Sequence, residues 1–581
     1  MPIKNEIPVR VDMTWRPMDS PNLPERRSRE AEPRGCGRPQ IHFLRCRLRF
    51  RTVQSLTMRF PRTILLALAA ILCSAAALAQ QSQHLFFRVT LGPQFTAPVS
   101  GRMMIFLEPG EGAKSVDENP FRPADVYVTA KEISALDPGG SVEIDTDELA
   151  YPGGFSSLKS GDYQAQAVLD VDHTYDYSGR TAGDLISDVT ALQAFAPGKS
   201  SEPNLTLDAV VPERPAPAKL PAGFDRDAHQ EDFVSPALSA FFGRPIHMRA
   251  WVILPPEYDA GSSARYPTVY WTHGFGGNLF YSEFSGSRIY ERMQQHKMPP
   301  MIWVMLDESC ATGTHEFADS VNNGPWGKAL TTEFIPYLES KYRMDARASG
   351  RFLQGHSSGG WATLQLQVNY PGVFGGTWST SPDPSDFHDF TGVDLYAPHA
   401  NVYRRSDGTP YPLVRDHARV IGTFEQFALT ERVLGDYGGQ LASFEWVFSP
   451  RGSDGRPLKM FNRETGDVDP AVVAYWRDHY DLAHIVQSTW AERGPDLRGK
   501  IHVFVGTADT FYLDGAAHKF DAALRALNAD ARFTYIPDRT HFDLYRTHTP
   551  DGKEDRMGLF DQIAAEMYAV ARPGSSWKPA E

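Results

Sequence analysis

The stretch Gly355-His356-Ser357-Ser358-Gly359-Gly360 decides the fold that this chain is expected to adopt. It follows a short apolar segment, Arg351 to Gln354, that is typical of a strand, and it precedes a helix-like segment, Trp361 to Asn369. A serine with glycines two residues before and two residues after it, between a strand and a helix, sits on a sharp and strained turn. The turn lifts the serine hydroxyl clear of the sheet edge, and the spacing selects Ser357 over Ser358 as a nucleophile.

The partners of such a serine are expected later in the chain. A serine hydroxyl is a weak nucleophile and needs a base within hydrogen-bond distance. In chains with this strand–turn–helix serine, the order is Ser, then Asp or Glu, then His. Asp509 lies just past the second-last predicted strand, with Asp514 as the nearby alternative, and His541 lies on the loop after the last one. We therefore predict a catalytic set of Ser357, Asp509 and His541.

A glycine-rich loop supplies candidates for the oxyanion hole, which must hold the charge that develops on the substrate oxygen. Tyr270 to Asn278 contains His-Gly-Phe-Gly-Gly directly after an early predicted strand. We assign the two donors to the backbone N–H groups of Phe275 and Ser358, with Gly276 as the alternative to Phe275. The loop lacks both the Lys-Ser/Thr ending of a P-loop and the Gly-x-Gly-x-x-Gly spacing, which argues against phosphate binding.

Other reactive side chains have weaker sequence contexts. His356 flanks the nucleophile and is expected to shape the pocket rather than act as the base. Cys310 is expected to be a buried structural thiol. No spaced cluster of Cys, His and carboxylates compels a metal site, and no cofactor is implied. The remaining histidines lack a matching strand-end position: His315, His388, His479, His484, His502 and His548.

The first 79 residues differ from the rest of the chain. Residues 58–79 combine a short basic start, an apolar segment and Ala77-Leu78-Ala79, and this pattern predicts a signal peptide cleaved before Gln80. The apolar segment is too short to span a membrane. Lipid attachment at Cys73 is disfavoured, because Leu72 occupies a position that requires a small residue. Residues 1–57 are interpreted as a disordered leader or a mis-assigned start, and we expect a secreted or periplasmic protein.

Composition excludes several classes of function. The chain of 581 residues is 41% hydrophobic and 22% charged, as is usual for globular proteins, and its net charge is −13. Without residues 1–79 the net charge is −21, from 44 basic and 65 acidic residues. Such an acidic chain is a poor candidate for binding nucleic acid or anionic membranes.

The chain divides into two regions of different periodicity. Residues 80–211 contain short, alternating strands that predict a smaller all-β, sandwich-like accessory domain, with binding of a polymer or cell wall as a less favoured role. Residues 212–222 form a Pro-rich linker. The predicted strands of the first region are Leu85–Leu91, Met103–Leu107, Asp125–Val128, Tyr163–Leu169 and Leu205–Val211.

From 223 to 575, strands alternate with helices, which predicts an α/β fold with a mostly parallel sheet. An insertion at about 383–498 interrupts this alternation and is interpreted as a cap over the strand ends, where ligands bind. A merely structural excursion is the alternative. Its aromatic residues either line an acyl pocket or form plain core: Phe444, Trp446, Tyr475 and Trp476. The predicted strands are His247–Leu254, Tyr266–Thr272, Met301–Leu306, Arg351–Gln354, Gly376–Ser379, Ile501–Val505 and Arg532–Ile536.

Taken together, these motifs resemble the putative-esterase family of α/β-hydrolases, which includes esterase-D-like enzymes, enterochelin and feruloyl esterases, and mycolyltransferases. The resemblance runs from about Phe233 to Arg572. It rests on His273–Gly277, on Gly324–Gly327 leading to Glu333–Tyr337, on Gly355–Gly360, on Ser381–Pro384, and on Asp509 and His541. It implies hydrolysis of a small-molecule or polymer-linked carboxylic ester through a Ser357-His541-Asp509 triad and an acyl-enzyme.

Three alternatives stay open at this point. An acyltransferase would use the same triad with an alcohol in place of water, and a peptidase would use it on an amide. A catalytically silent binding protein would leave the work to the first region. The sequence specifies neither the acyl group, nor the alcohol, nor the oligomeric state.

Overall fold

The computed structural model describes residues 84–121, 124–213, 219–435, 437–549 and 551–580. The predicted leader 1–57 and signal peptide 58–79, and residues 214–218 of the Pro-rich linker, lie outside the described residues. Within the described part of the chain, no helix has both the length and the apolar character needed to cross a bilayer.

An eight-stranded sheet organises the second region. Six of its strands, from Ile302–Leu306 to Arg532–Ile536 in spatial order, run parallel to one another. The two strands at the other edge, Ala228–Val234 and His247–Ile253, pair antiparallel. The prediction of an α/β fold with a mostly parallel sheet is therefore confirmed. In spatial order the strands are Ala228–Val234, His247–Ile253, Ile302–Leu306, Thr268–Thr272, Arg351–His356, Gly376–Thr380, Ile501–Gly506 and Arg532–Ile536.

The central strands are apolar throughout because both faces of the sheet are covered. Trp271 and Trp303 point into one core, which the C-terminal helix Gly558–Ala571 closes. Their chain neighbours Tyr270 and Val304 point into the other core, on the opposite face. The α-helices of this region are Phe224–Asp227, Pro236–Phe242, Leu279–Gln294, Trp326–Ala329, Ile335–Lys341, Ser358–Asn369, Phe424–Leu434, Gln440–Phe448, Pro470–His479, Leu482–Leu497, Leu513–Ala526 and Gly558–Ala571.

The insertion between the strands Gly376–Thr380 and Ile501–Gly506 contains four of these helices and the hairpin Pro412–Asp416/Arg419–Thr423. Phe444 and Trp476 lie in its apolar core. For these two side chains, the structure therefore favours the interpretation as core residues over that as the lining of an acyl pocket. Whether the insertion acts as a cap stays a prediction.

The first region forms one nine-stranded sheet, in which the strand Thr190–Phe195 pairs to the side with Gly161–Asp170. Whether it constitutes a separate sandwich-like domain stays a prediction. The other strands follow the order Ser141–Asp145, Phe86–Leu91, Asn204–Val210, Leu185–Ser187, Gly161–Asp170, Val99–Pro109, Tyr127–Leu136 and Ala150–Tyr151.

Alternation along the strand Val99–Pro109 divides the apolar residues of this sheet between two cores. On one face of the sheet, Met103, Ile105 and Leu107 pack with side chains from the other front strands. Met104 and Phe106, on the opposite face, pack with residues of the insertion helix Phe424–Leu434. One face of the front sheet is thus covered by the insertion, and the two regions share a core.

Arg102 adds a polar connection to the same helix. Its guanidinium donates to the backbone carbonyls of Arg432 and Val433, at distances of 3.0 and 2.9 Å. Carbonyl groups in the last turn of a helix lack partners within the helix, so this arginine caps the C-terminal end of Phe424–Leu434 from the front sheet.

Candidate active site

Ser357 occupies the turn between the strand Arg351–His356 and the helix Ser358–Asn369. Its backbone has φ 61° and ψ −128°, a conformation that costs free energy for any residue other than glycine. The turn is held in place because the N–H of Ser357 donates to Thr380 (3.1 Å) and its carbonyl accepts from Trp361 (3.0 Å). This is the strained geometry that presents a serine hydroxyl at the end of a sheet.

The two flanking glycines are required by close backbone approaches. A Cβ atom at Gly355 would collide with the carbonyl group of Gly359. A Cβ atom at Gly359 would collide with the carbonyl oxygen of His273, on the neighbouring strand-end loop. The glycines two residues before and after Ser357 therefore allow the turn to close against that loop.

His541 and Asp509 form a buried pair. The Nδ1 atom of His541 lies 3.0 Å from Oδ2 of Asp509, and the two residues are 4% and 0% exposed. The other oxygen of Asp509 accepts from the backbone N–H of Phe511 at 3.0 Å. Burial raises the pKa of Asp509, but His541 and these hydrogen bonds outweigh burial and hold the pKa below its usual value. Asp509 is therefore a permanent anion that fixes the imidazole ring.

Asp514, the sequence alternative to Asp509, has a different partner. Its carboxylate lies 2.8 Å from the guanidinium of Arg415, which belongs to the insertion. Arg415 also donates to the backbone carbonyl of Asp509 at 2.7 Å. The insertion thus braces the loop that carries Asp509, a contact that the sequence did not reveal.

The glycine-rich loop lies against the nucleophile. A Cβ atom at Gly274 would be 3.1 Å from Cβ of Ser357, so the loop touches the serine side chain. Phe275 and Gly276 follow in the same turn, which is closed by the hydrogen bond from Gly277 N–H to the carbonyl of Gly274 (3.0 Å).

The second assigned donor stands at the start of a helix. Ser358 is the first residue of the helix Ser358–Asn369, where N–H groups have no partner within the helix. The helix dipole adds partial positive charge at the same end. Both assigned donors, Phe275 and Ser358, therefore belong to segments that adjoin Ser357.

His356 links the nucleophile segment to the base. Its ring lies 4.4 Å, centroid to centroid, from that of His541, and its Nδ1 atom lies 3.2 Å from the hydroxyl of Thr380. Burial, together with the charge of His541, lowers the pKa of His356 to about 3. The ring stays neutral and shapes the site, as the sequence led us to expect.

One buried acid, Asp383, contacts the nucleophile, and only the Ser381–Pro384 motif pointed to it. Asp383 donates its N–H to the carbonyl of Ser357 (3.2 Å) and is 5% exposed. Burial raises its pKa to about 7, opposed by the charge of His541 and by a hydrogen bond from the Ser357 hydroxyl. Glu308 and Glu316, also buried, interact electrostatically with Asp383.

The front region contributes aromatic side chains to the site, which the sequence analysis missed. The ring of Tyr177 lies 5.7 Å from that of Phe275, and its hydroxyl donates to Gln440 at 2.6 Å. On the other side, Phe121 lies 5.5 Å from Phe542, the neighbour of His541. No periodicity in residues 80–211 pointed to these contacts, because both segments are irregular loops between strands.

Two groups of side chains have ligand atoms close enough together for a cation. They are Asp386, His388 and Asp481, and Asp170, Asp172 and Asp184. Neither group includes a predicted catalytic residue. Cys310 is a free, half-buried thiol, and burial raises its pKa to about 11, which makes it a poor nucleophile.

The histidines without a strand-end position have structural partners. His315 stacks on Trp326 at 3.6 Å, and burial lowers its pKa to about 3. His502 stacks on Trp378 at 4.2 Å, and burial lowers its pKa to about 4. These two rings are held neutral inside the protein and away from the predicted base.

Comparison with known proteins finds two esterases that are similar to part of this chain. Esterase Rv1288 and Esterase MT1326, from two strains of Mycobacterium tuberculosis, are 30% identical to this chain over 141 residues, which is 24% of this chain. The aligned segment spans 30% of the length of these curated relatives.

Solved structures with a similar chain path include a ferulic acid esterase, with 14% identity and a TM-score of 0.35, covering 59% of this chain and 97% of that one. S-formylglutathione hydrolase (FrmB) from Staphylococcus aureus has 13% identity and a TM-score of 0.33, covering 59% and 98%.

The sequence profile of the family described as Putative esterase matches residues 239–549, which is more than half of the chain. The matched segment contains the turn at Ser357, the glycine-rich loop, Asp509 and His541. The resemblance found from the motifs is therefore confirmed: this chain belongs to the putative-esterase family.

Proposed function

We propose that this protein is a serine hydrolase that cleaves carboxylic esters through Ser357, His541 and Asp509. The observation that carries the proposal is the turn at Ser357, whose strained backbone places a hydroxyl beside a glycine-rich loop. The preceding residue, His356, packs against His541 of the buried His–Asp pair. Membership of the putative-esterase family supports the same reaction class.

The reaction proceeds in two steps on this geometry. Ser357 attacks the ester carbonyl while Nε2 of His541 takes the hydroxyl proton, and His541 then gives that proton to the departing alcohol. The product of the first step is an acyl-enzyme on Ser357. In the second step His541 removes a proton from water, the resulting hydroxide attacks the acyl carbonyl, and the acid leaves as Ser357 regains its proton.

Asp509 and the backbone donors lower the barrier without forming bonds to the substrate. Asp509, ionised beside Nδ1 of His541, orients the ring and stabilises the imidazolium that forms in each step. The N–H groups of Phe275 and Ser358 are assigned to the tetrahedral oxyanion, with Gly276 as the alternative. No cofactor takes part in this scheme.

A fluorophosphonate probe followed by peptide mapping tests the proposal. We expect covalent labelling of Ser357 in the folded protein and hydrolysis of p-nitrophenyl esters of short acids. Ser357→Ala should lose the label and at least 10⁴-fold in kcat. Ser358→Ala is the matched control and should keep the label, because its assigned role uses the backbone N–H. Labelling of another residue would contradict the assignment, and transfer of most of the acyl group to an added alcohol would indicate an acyltransferase.

We also propose that the protein is exported, on the basis of the signal-peptide pattern at residues 58–79. N-terminal sequencing of protein recovered from the periplasm or medium should begin at Gln80. A mature protein that begins within residues 1–57 would contradict both the cleavage site and the assigned start.

A further inference from the structure

A narrow crevice lies between the front region and the insertion, one side chain away from the proposed active site. Its lining includes Glu118, Pro120, Tyr175 and Tyr177 from the front loops and Phe427 from the insertion helix Phe424–Leu434. We propose that this crevice binds the terminal ammonium group of a substrate, so that the enzyme prefers esters that carry a protonated primary amine. The inference rests on the proposed ester hydrolysis.

The first observation is an unsatisfied buried acid. Glu118 is 4% exposed, and neither of its carboxylate oxygens accepts a well-formed hydrogen bond from the described residues. The nearest donor is the backbone N–H of the adjoining Asn119. Burial raises the pKa of this carboxyl group to about 8. Buried carboxylates are normally paired or fully hydrogen-bonded, so this group lacks the partner that such a site requires.

The second observation is the aromatic surface next to Glu118. The rings of Tyr175 and Tyr177 lie 5.7 Å apart, and Tyr177 lies 6.2 Å from Phe427. Faces of aromatic rings attract cations, and an ammonium group surrounded by rings and one carboxylate is a favourable arrangement. Among the described residues, those that line the crevice include no Lys, Arg or His that could neutralise Glu118.

The crevice is small, so it suits a small cation. About 10 Å³ of it is open to the centre of a water-sized group. A primary ammonium group is close to water in size, whereas a trimethylated one is much larger.

The position of the crevice connects it to the reaction. The ring of Tyr177 lies 6.2 Å from that of Phe427, which lines the crevice, and 5.7 Å from that of Phe275, an assigned oxyanion residue. Pro120 lines the crevice, while the next residue, Phe121, contacts Phe542 beside His541. The inference places the ester of the substrate at Ser357 and its amine beyond Tyr177, at Glu118.

A matched set of substrates tests the inference on the wild-type enzyme. In one arm, p-nitrophenyl esters of ω-amino, ω-hydroxy and unsubstituted straight-chain acids are compared at equal chain length, from three to eight atoms. In the other arm, the same three end groups are placed on the alcohol of acetate esters. We expect the ammonium member to exceed both others at least tenfold in kcat/KM, at one chain length in one arm. That arm shows whether the acyl or the alcohol part carries the amine.

Variants and a binding measurement complete the test. Glu118→Gln should reduce the preference to less than threefold, whereas Glu108→Gln should leave it unchanged, because Glu108 pairs with Gln164 away from the crevice. With wild-type enzyme, n-pentylammonium chloride should inhibit hydrolysis of p-nitrophenyl butyrate competitively and more strongly than n-pentanol does.

Preference below twofold in both arms, or preference for the hydroxyl member, would overturn the inference while hydrolysis of the neutral esters still supported the proposed function. Failure to hydrolyse any ester would instead contradict the proposed function. The inhibition experiment uses only the wild-type enzyme, so it tests the inference even if Glu118→Gln does not fold. Inhibition by n-pentylammonium that is no stronger than inhibition by n-pentanol would contradict the inference.

Discussion

Two buried carboxyl groups, one in each region, illustrate how the regions differ. Asp509, beside the parallel sheet, has His541 and backbone N–H groups as partners, and its pKa lies below the usual value. Glu118, in the front region, has no comparable partner, and burial raises its pKa to about 8. Burial is common to both, so the partners decide whether the buried acid carries charge.

The two regions are also packed against each other. The front sheet shares a core with the insertion helix Phe424–Leu434, and Arg102 caps the end of that helix. The insertion in turn holds the loop of Asp509 through Arg415. A series of contacts thus connects the front sheet with the predicted catalytic acid, Asp509. Substitutions of Asp509, Glu118 and Arg102 test how the two regions differ and how they are connected.

Removing the charge of Asp509 should have the largest effect. In Asp509→Asn the amide neither holds the required tautomer of His541 nor stabilises its protonated form, so kcat should fall 10³- to 10⁴-fold. Asp514→Asn is the matched control, and we expect less than a tenfold loss because Asp514 pairs with Arg415 instead. Initial rates with a p-nitrophenyl ester measure both. Equal losses in the two variants would contradict the assignment of Asp509.

Neutralising Glu118 should increase stability in a pH-dependent way. Burial raises the folded-state pKa of Glu118 from its ordinary value of 4.5 to about 8, so between these pH values the native state holds a proton that the unfolded state has lost. The resulting penalty on the native state grows from about pH 4.5 to pH 8 and then levels off.

Glu118→Gln removes this penalty and should raise the free energy of unfolding by roughly 2–4 kcal/mol at pH 8, and by little at pH 4.5. Urea titrations at the two pH values measure the difference. Glu143→Gln, at an exposed position paired with Arg88, should show no such trend. A gain that is equal at both pH values, or a loss of stability at pH 8, would contradict the raised pKa of Glu118.

Removing the hydrogen bonds by which Arg102 connects the two regions should have a smaller effect on stability. Arg102→Gln leaves the carbonyls of Arg432 and Val433 without their donor, and we expect a loss of about 1–3 kcal/mol. The exposed Arg88→Gln should cost less than about 0.5 kcal/mol. Thermal denaturation compares the two. A larger loss for Arg88→Gln would mean that the cap at Val433 is dispensable.

Much of the α/β region was predictable, because its strands are apolar on both faces and end at turn residues. The strand Arg532–Ile536 matches its predicted bounds, and the six other predicted strands differ by one or two residues. The strand Ala228–Val234 was missed because His-Gln-Glu-Asp at its centre lacks apolar character. The helices Trp326–Ala329 and Ile335–Lys341 are joined by a π-helical turn, Leu330–Phe334.

The front region was less predictable. Its five predicted strands are present with shifted ends, but four short strands between them were missed, since two to six residues carry too little periodicity. Its role next to the site was missed for a different reason. Tyr175, Tyr177 and Phe121 lie on irregular loops, whose path depends on contacts with the distant insertion.

The sequence by itself determined the sheet, the turn at Ser357 and the order of the predicted catalytic residues, because these depend on local backbone geometry and short-range periodicity. Only the tertiary structure decided that Asp509, and not Asp514, faces His541, and that Glu118 lies unpaired beside Tyr177. Such pairings join residues far apart in the chain, and packing in three dimensions brings them together. A charge or hydrogen bond acts over a few ångströms, so its partner becomes known only when those distances are known.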